Sequence, residues 1–128
     1  MPVQVSWHDD KHTILYYRCE SVWELEELFN IIGIGKQMVV AENHIVDAIF
    51  DMTDSTTLPH RMLASLRSVE NNTPENLRYT VAVGLNPLLM ALAHMITKAM
   101  PKLMKDFRTE QTLDGALNFI HENRASAR

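Results

Sequence analysis

Residues 45–59 read IVDAIFDMTDSTTLP, and this segment decides the fold. An apolar run of strand length ends in acidic and hydroxyl residues, and Pro59 then stands where a helix can begin. The pattern predicts a buried strand over residues 45–52, a polar loop over 51–57 and a helix over 59–70. Such loops often hold a ligand or a switch, because helix N-termini attract anions and parallel strands end at one sheet edge.

The chain before this segment predicts an antiparallel hairpin. Residues 3–7 and 13–19 alternate apolar and polar side chains, and a short polar turn separates them. Cys19, the only cysteine, lies in the second of these strands, so no internal disulfide can form. We expect Cys19 to be a small buried hydrophobe rather than a reactive thiol.

A helix follows the hairpin. Ser21 and Glu24 have the spacing of a capping box, in which Ser21 caps the helix and Glu24 reaches back, so we expect a helix from there to about Val40. Gly33 and Gly35 weaken this helix but allow another part of the chain to approach its backbone closely.

Two further strand–helix units follow residue 70. Strands are predicted at 79–83 and 107–110 from their β-branched and aromatic residues. Asn86 followed by a proline predicts the start of one helix, and Thr112 is the expected cap of the last. Residues 123–128 are expected to be a fraying tail.

The complete order is β-β-α-β-α-β-α-β-α in a single domain spanning residues 1–128. Alternation of strands and helices after the hairpin requires parallel strands, while one hairpin strand must run against them. The predicted fold is therefore α/β, a mixed five-stranded sheet flanked by four helices.

Composition excludes several classes of function. The 128 residues carry a formal net charge of −4, which argues against a nucleic-acid surface because phosphate contacts need a basic face. The most apolar helical segment contains Lys98, Pro101 and Lys102, which interrupt it too often for a membrane span. A cytoplasmic protein without membrane insertion is the expectation.

The element order, with Asp51-Met52-Thr53 ending the third strand, resembles the STAS domain, the sulphate-transporter and anti-sigma-factor-antagonist family. The likeness is greatest to its SpoIIAA-like branch. The residues that carry the resemblance are Trp7, 21–24, 46–53, 79–84 and the ending Phe107…Ala116-Leu117.

The resemblance implies a non-catalytic regulatory or protein-interaction domain. In anti-sigma antagonists the hydroxyl residue after the aspartate of the third strand is phosphorylated by a partner kinase. Carried over, that position is Thr53, with Ser55 as a neighbour. Antagonists usually carry small or apolar residues next, whereas Asp54 stands here and raises the electrostatic cost of a phosphate. Other branches resemble SEC14-like binders of lipids or small molecules, which is the alternative function. The ligand would then bind in an apolar pocket beneath the Met- and Leu-rich helix predicted from Asn86.

The polar residues predicted at the carboxyl edge of the sheet form the candidate ligand or switch site. Its members are Asp51, Thr53, Asp54, Ser55, Arg61, Gly84 and Asn86. The alternative is that they are caps and turn formers, which is the commoner role of such residues.

Other site classes have weaker patterns. His8, Asp9, Asp10 and His12 could bind a metal, but a solvated turn is the favoured interpretation. The apolar stripe of the first helix is expected in the core, with a homodimer contact as the second possibility. No G-x-S-x-G or H-E-x-x-H motif occurs, and the chain lacks the lysine that a receiver domain needs after its last strand. We therefore expect no catalytic residues, no metal and no cofactor.

Overall fold

A computed structural model describes residues 3–21, 23–55, 73–102 and 104–126. In chain order the elements are β1 (Val3–Trp7), β2 (Ile14–Ser21), α1 (Leu25–Val40), β3 (Val46–Ser55), β4 (Leu77–Val83), α2 (Pro87–Ala99), β5 (Phe107–Glu110) and α3 (Leu113–Ser126). The strands lie in the order β1-β2-β3-β4-β5, with β1 antiparallel to β2 and all other pairs parallel. The predicted mixed five-stranded α/β sheet is confirmed.

Three of the four predicted helices are described. The helix predicted at 59–70 and Arg61 within it lie outside the described residues, and the STAS-like assignment stays a prediction. No helix in the described ranges is both long and apolar enough to cross a membrane.

Helices cover both faces of the sheet, as the apolar character of β3 predicts. One face packs against α1 and α2, and its buried side chains include Leu15, Tyr17, Cys19, Ala48 and Met52. The other face packs against α3, and its buried side chains include Ile14, Ile49, Val81, Ala116 and Ile120. Burial raises the pKa of the Cys19 thiol to about 12, so the prediction of an unreactive cysteine is supported.

β2 and β3 both extend further than the sequence predicts. Ser21 still belongs to β2 and pairs with Ser55 of β3, so Ser21 is not the helix cap. Glu24 is the N-cap instead, and it forms a reciprocal capping box with Glu27. The expected boundary of the loop at 51–57 is therefore wrong, because its first five residues continue a strand that β2 pairs with.

The predicted caps of the later helices are confirmed. Asn86 accepts a hydrogen bond from the backbone N–H of Leu89 at 2.9 Å. Thr112 accepts one from the N–H of Gly115 at 3.0 Å. Each side-chain oxygen satisfies an N–H group that the first turn of a helix leaves without a backbone partner.

The prediction of a fraying tail is wrong for residues 123–126, which continue α3. Arg124 holds this end of the helix, because its guanidinium donates to the carbonyl of Thr13 at 2.6 Å and to Asp47 at 2.7 Å. A helix end with such partners does not behave as a free terminus.

The two glycines of α1 have different environments. A Cβ atom on Gly35 would lie 1.9 Å from the hydroxyl oxygen of Tyr17, so only glycine lets that side chain reach the helix backbone. A Cβ atom on Gly33 would have no neighbour within 4 Å among the described residues. The predicted close approach is confirmed at Gly35, whereas no described residue makes one at Gly33.

Candidate functional site

Asp51 is the centre of the polar cluster at the carboxyl edge of the sheet. Its Oδ1 accepts hydrogen bonds from the backbone N–H and the hydroxyl of Thr53, at 3.0 and 2.6 Å. Its Oδ2 accepts one from the hydroxyl of Tyr16 in β2. Three donors therefore converge on one carboxylate that is only partly exposed.

These contacts change the acidity of both partners. Burial alone would raise the pKa of Asp51, but the hydrogen bonds from Thr53 and Tyr16 outweigh it and lower the pKa below its ordinary value. Burial, together with the hydrogen bond to Asp51 and its negative charge, raises the pKa of Tyr16 to about 12. Near neutral pH the pair is a phenol that donates to a carboxylate.

Asp54 belongs to a second, more exposed group around Arg18. The guanidinium of Arg18 lies 2.8 Å from Asp54 Oδ2 and 3.1 Å from Glu20 Oε1. Asp51 also interacts electrostatically with Arg18, so three negative charges lie near one guanidinium group. Among the described residues, the charges at this edge of the sheet therefore disfavour phosphate and other free anions.

Gly84 and Thr53 lie together, as the sequence predicts for neighbouring parallel strands. Gly84 has a φ of 71°, and a Cβ atom there would lie 2.4 Å from Thr53 Oγ1 and 2.9 Å from its Cα. Asn86 caps α2 through its side-chain oxygen. Its observed role is therefore that of a cap, the alternative that the sequence left open.

Ser55 is separated from this cluster because it points into the core. Its hydroxyl donates to the carbonyl oxygen of Cys19 at 2.9 Å and accepts from the indole N–H of Trp23 at 3.1 Å. The side chain is buried. The remaining member of the predicted site, Arg61, lies outside the described residues.

Sequence reasoning did not include Tyr16 and Arg18 in the site. The signal for them was present, because alternation along the second strand places both side chains on one face. The pairing of Arg18 with Asp51 in adjacent strands then brings that face beside the end of β3. The alternation alone does not give the register between β2 and β3, so it could not show which residues Tyr16 and Arg18 would contact.

The turn between β1 and β2 has structural partners for its polar residues. Asp9 accepts hydrogen bonds from the backbone N–H groups of Thr13 and Ile14, at 2.8 and 3.1 Å. The ring of His12 stacks on Trp7 with centroids 4.5 Å apart. Within the described ranges, no three histidine, cysteine or carboxylate side chains are grouped so that they could hold a metal ion.

A cavity of about 450 Å³ lies between the sheet and the helices α1 and α2. Most of the described residues that line it are apolar, and they include Leu15, Ala48, Phe50 and Met52 from the sheet and Leu28, Ile32, Leu89 and Ile96 from the helices. Well-packed cores leave few voids larger than a water molecule. This volume lies instead within the range of about 300–1,000 Å³ that is typical of small-molecule sites.

The sequence predicted an apolar pocket beneath the helix that became α2, and residues of α2 do line the cavity, but the contribution of α1 was not predicted. The apolar stripes that line the cavity have the same spacing as stripes that fill a core.

A comparison of the chain with protein-family models found no match, and comparisons with curated proteins and with solved structures found none either.

Proposed function

We propose that the protein is a non-catalytic binding module for a small apolar molecule of lipid type. The cavity between the sheet and helices α1 and α2 carries this proposal. Its apolar lining favours a hydrocarbon ligand, since removing apolar surface from water contributes roughly 25 cal/mol per Å². The resemblance to the SEC14-like branches of the wider STAS family supports the same class of ligand.

The test is a thermal unfolding series with straight-chain alcohols of increasing length. A ligand at about 100 times its Kd stabilises the folded state by about 2.7 kcal/mol, so the melting temperature should rise. Trp23 lines the cavity, so its fluorescence provides a second readout in a Trp7→Phe background. Absence of any shift for every chain length would overturn the proposal.

A matched pair of variants on α2 locates the binding. Ala93 lines the cavity and Ala91 is exposed on the same helix. Ala93→Leu should fill part of the cavity and weaken the binding of the alcohols, whereas Ala91→Leu should leave it unchanged. Equal effects of both variants would place the alcohols elsewhere on the protein.

A second candidate function, a regulatory interaction switched at Thr53, has one specific observation in its favour. The hydroxyl of Thr53 is exposed and already bonded to Asp51, at the position where the resemblance puts phosphorylation. A phosphate brings about −1.5 to −2 charges next to Asp51 and Asp54 and would break that hydrogen bond. A protein partner could read the resulting change at the sheet edge.

Intact-mass measurement of protein from its native cells tests the switch. A phosphate-sized increment is expected in the natural chain and should be lost in Thr53→Val. Ser55 is a poor alternative acceptor because its hydroxyl is buried between Trp23 and Cys19. A phosphate-sized mass increment that persists in Thr53→Val would show that Thr53 is not the phosphorylation site.

A further inference from the structure

Lys36 is a cation of α1 at the mouth of the apolar cavity. It lines the cavity and also a shallower depression that Gln37 and Val40 share, so it stands where the cavity meets the surface. Among the described residues it has no hydrogen-bond or ion-pair partner. Burial lowers the pKa of Lys36, which shows that its surroundings withhold part of the solvation an ammonium group normally has.

Tyr17 supplies a second polar group to the same cavity. Its side chain is 4% exposed, its ring stacks on Phe50 with centroids 4.2 Å apart, and its hydroxyl packs against Gly35, the neighbour of Lys36. The hydroxyl has no hydrogen-bond partner among the described residues. Tyr17 is one of the residues that line the cavity, so its side chain and that of Lys36 border the same space.

The other cations that line the cavity, Arg78 and Lys102, are less suited than Lys36 to bind an anion there. The guanidinium of Arg78 is bonded to the carboxylate of Asp47 through two nitrogens, each at 3.2 Å. Lys102 is exposed, and the carboxylate of Asp106 lines the cavity on the same segment of the chain. An anion is therefore favoured beside Lys36 and opposed near Asp106.

We propose that Lys36 and Tyr17 bind the carboxylate of a single-chain amphiphile of the fatty-acid class, whose hydrocarbon chain fills the cavity. This inference rests on the proposed binding function and specifies the ligand's head group. One ammonium group balances one negative charge, and the Tyr17 hydroxyl donates to the second carboxylate oxygen. The volume of about 450 Å³ suits one acyl chain rather than two.

Calorimetric titration with dodecanoate and with dodecanol distinguishes the contribution of the head group to the affinity from that of the hydrocarbon chain. The natural protein should bind dodecanoate about tenfold or more tightly than dodecanol, because hydrogen bonds to a charged group contribute more than neutral ones. Lys36→Met should remove this preference, because it takes away the ammonium group that pairs with the carboxylate. Tyr17→Phe should weaken dodecanoate binding about fivefold.

Two control variants remove the same chemical groups outside the cavity. Lys98 is exposed on α2, and Tyr79 packs on the opposite face of the sheet, so Lys98→Met and Tyr79→Phe should leave both affinities unchanged. Thermal unfolding of each variant checks that it is folded. Lys36→Gln replaces Lys36→Met if the latter does not fold.

The outcomes separate failure of the head-group assignment from failure of the binding function. Equal affinity of the natural protein for dodecanoate and dodecanol, or an unchanged preference in Lys36→Met, would overturn the assignment alone. Tighter binding of dodecyl phosphate than of dodecanoate would overturn the choice of carboxylate. No binding of any of these probes would overturn the proposed function and this inference with it.

Discussion

Arg124, near the end of α3, places a guanidinium nitrogen 2.7 Å from Oδ2 of Asp47, a side chain with no exposed surface in the middle of the sheet. Arg78 donates to the same carboxylate, and the backbone N–H of Tyr79 donates to Oδ1 at 2.9 Å. A buried charge is tolerated only when partners replace its lost hydration. The carboxylate therefore ties α3 to β3 and β4.

Asp47→Ala should be the most destabilising of the variants considered for this cluster. It leaves the guanidinium groups of Arg78 and Arg124 without their shared partner, and breaking a buried pair in this way costs about 3–5 kcal/mol. The free energy of unfolding in urea measures the loss.

Asp54→Ala is the matched control, because the ion pair of Asp54 with Arg18 is about half exposed on both sides. Pairs of this kind contribute about 0–1 kcal/mol. A loss for Asp47→Ala no larger than that for Asp54→Ala would show that the buried cluster does not stabilise the fold as argued.

This cluster shows what the sequence could not supply. Asp47 was visible as an acidic residue within an apolar strand, but its partner Arg124 lies 77 positions later, in a polar segment that reads as a tail. The apolar periodicity predicts strands and helices, but it does not predict which charged residues of distant segments form an ion pair. The order of the described elements was predictable, whereas the contacts that fix the end of α3 were not.

Gly84→Ala should destabilise the protein by about 1–3 kcal/mol. The φ of 71° is unfavourable for alanine, and its Cβ would lie 2.9 Å from the Cα of Thr53, which cannot move as a flexible side chain could. Urea unfolding gives the free energy. A variant as stable as the natural protein would contradict the close contact between Gly84 and Thr53.

The two glycines of α1 should respond in opposite directions to alanine. Gly33→Ala should stabilise the protein by about 0.5–1 kcal/mol, because its Cβ meets no described residue and alanine favours the helix. Gly35→Ala should destabilise it, because the new Cβ would overlap the Tyr17 hydroxyl. Thermal unfolding of the pair distinguishes them, and a shift in the same direction for both would contradict the contact.

The true end of β3 and the size of the cavity could not be predicted, for different physical reasons. Residues 53–55 are turn-forming types, but pairing with β2 overrides this local preference and buries Ser55 beneath Trp23. The cavity has no local signal, since its volume depends on how far α1 and α2 stand from the sheet. Of the candidate site, the sequence could therefore predict the position of Asp51 and Thr53 but not the hydrogen bond from Tyr16 of β2 to Asp51.

Asp51→Asn should make stability less dependent on pH in acid. The folded state lowers the pKa of Asp51, so it binds a proton less readily than the unfolded chain does. The stabilisation is therefore complete above the unfolded pKa of about 3.9 and is lost as pH falls through the lower folded value. At neutral pH the variant should be less stable by about 1 kcal/mol, because an amide accepts more weakly than a carboxylate and solvent screens this partly exposed site.

The difference in unfolding free energy between the natural protein and Asp51→Asn isolates this effect. Asp9 also has a lowered pKa, but it is present in both proteins and its contribution cancels. The difference should shrink towards zero as the pH falls below the folded pKa of Asp51. A difference that stays constant from neutral to acidic pH would mean that the contacts of Asp51 with Thr53 and Tyr16 do not favour its ionised form.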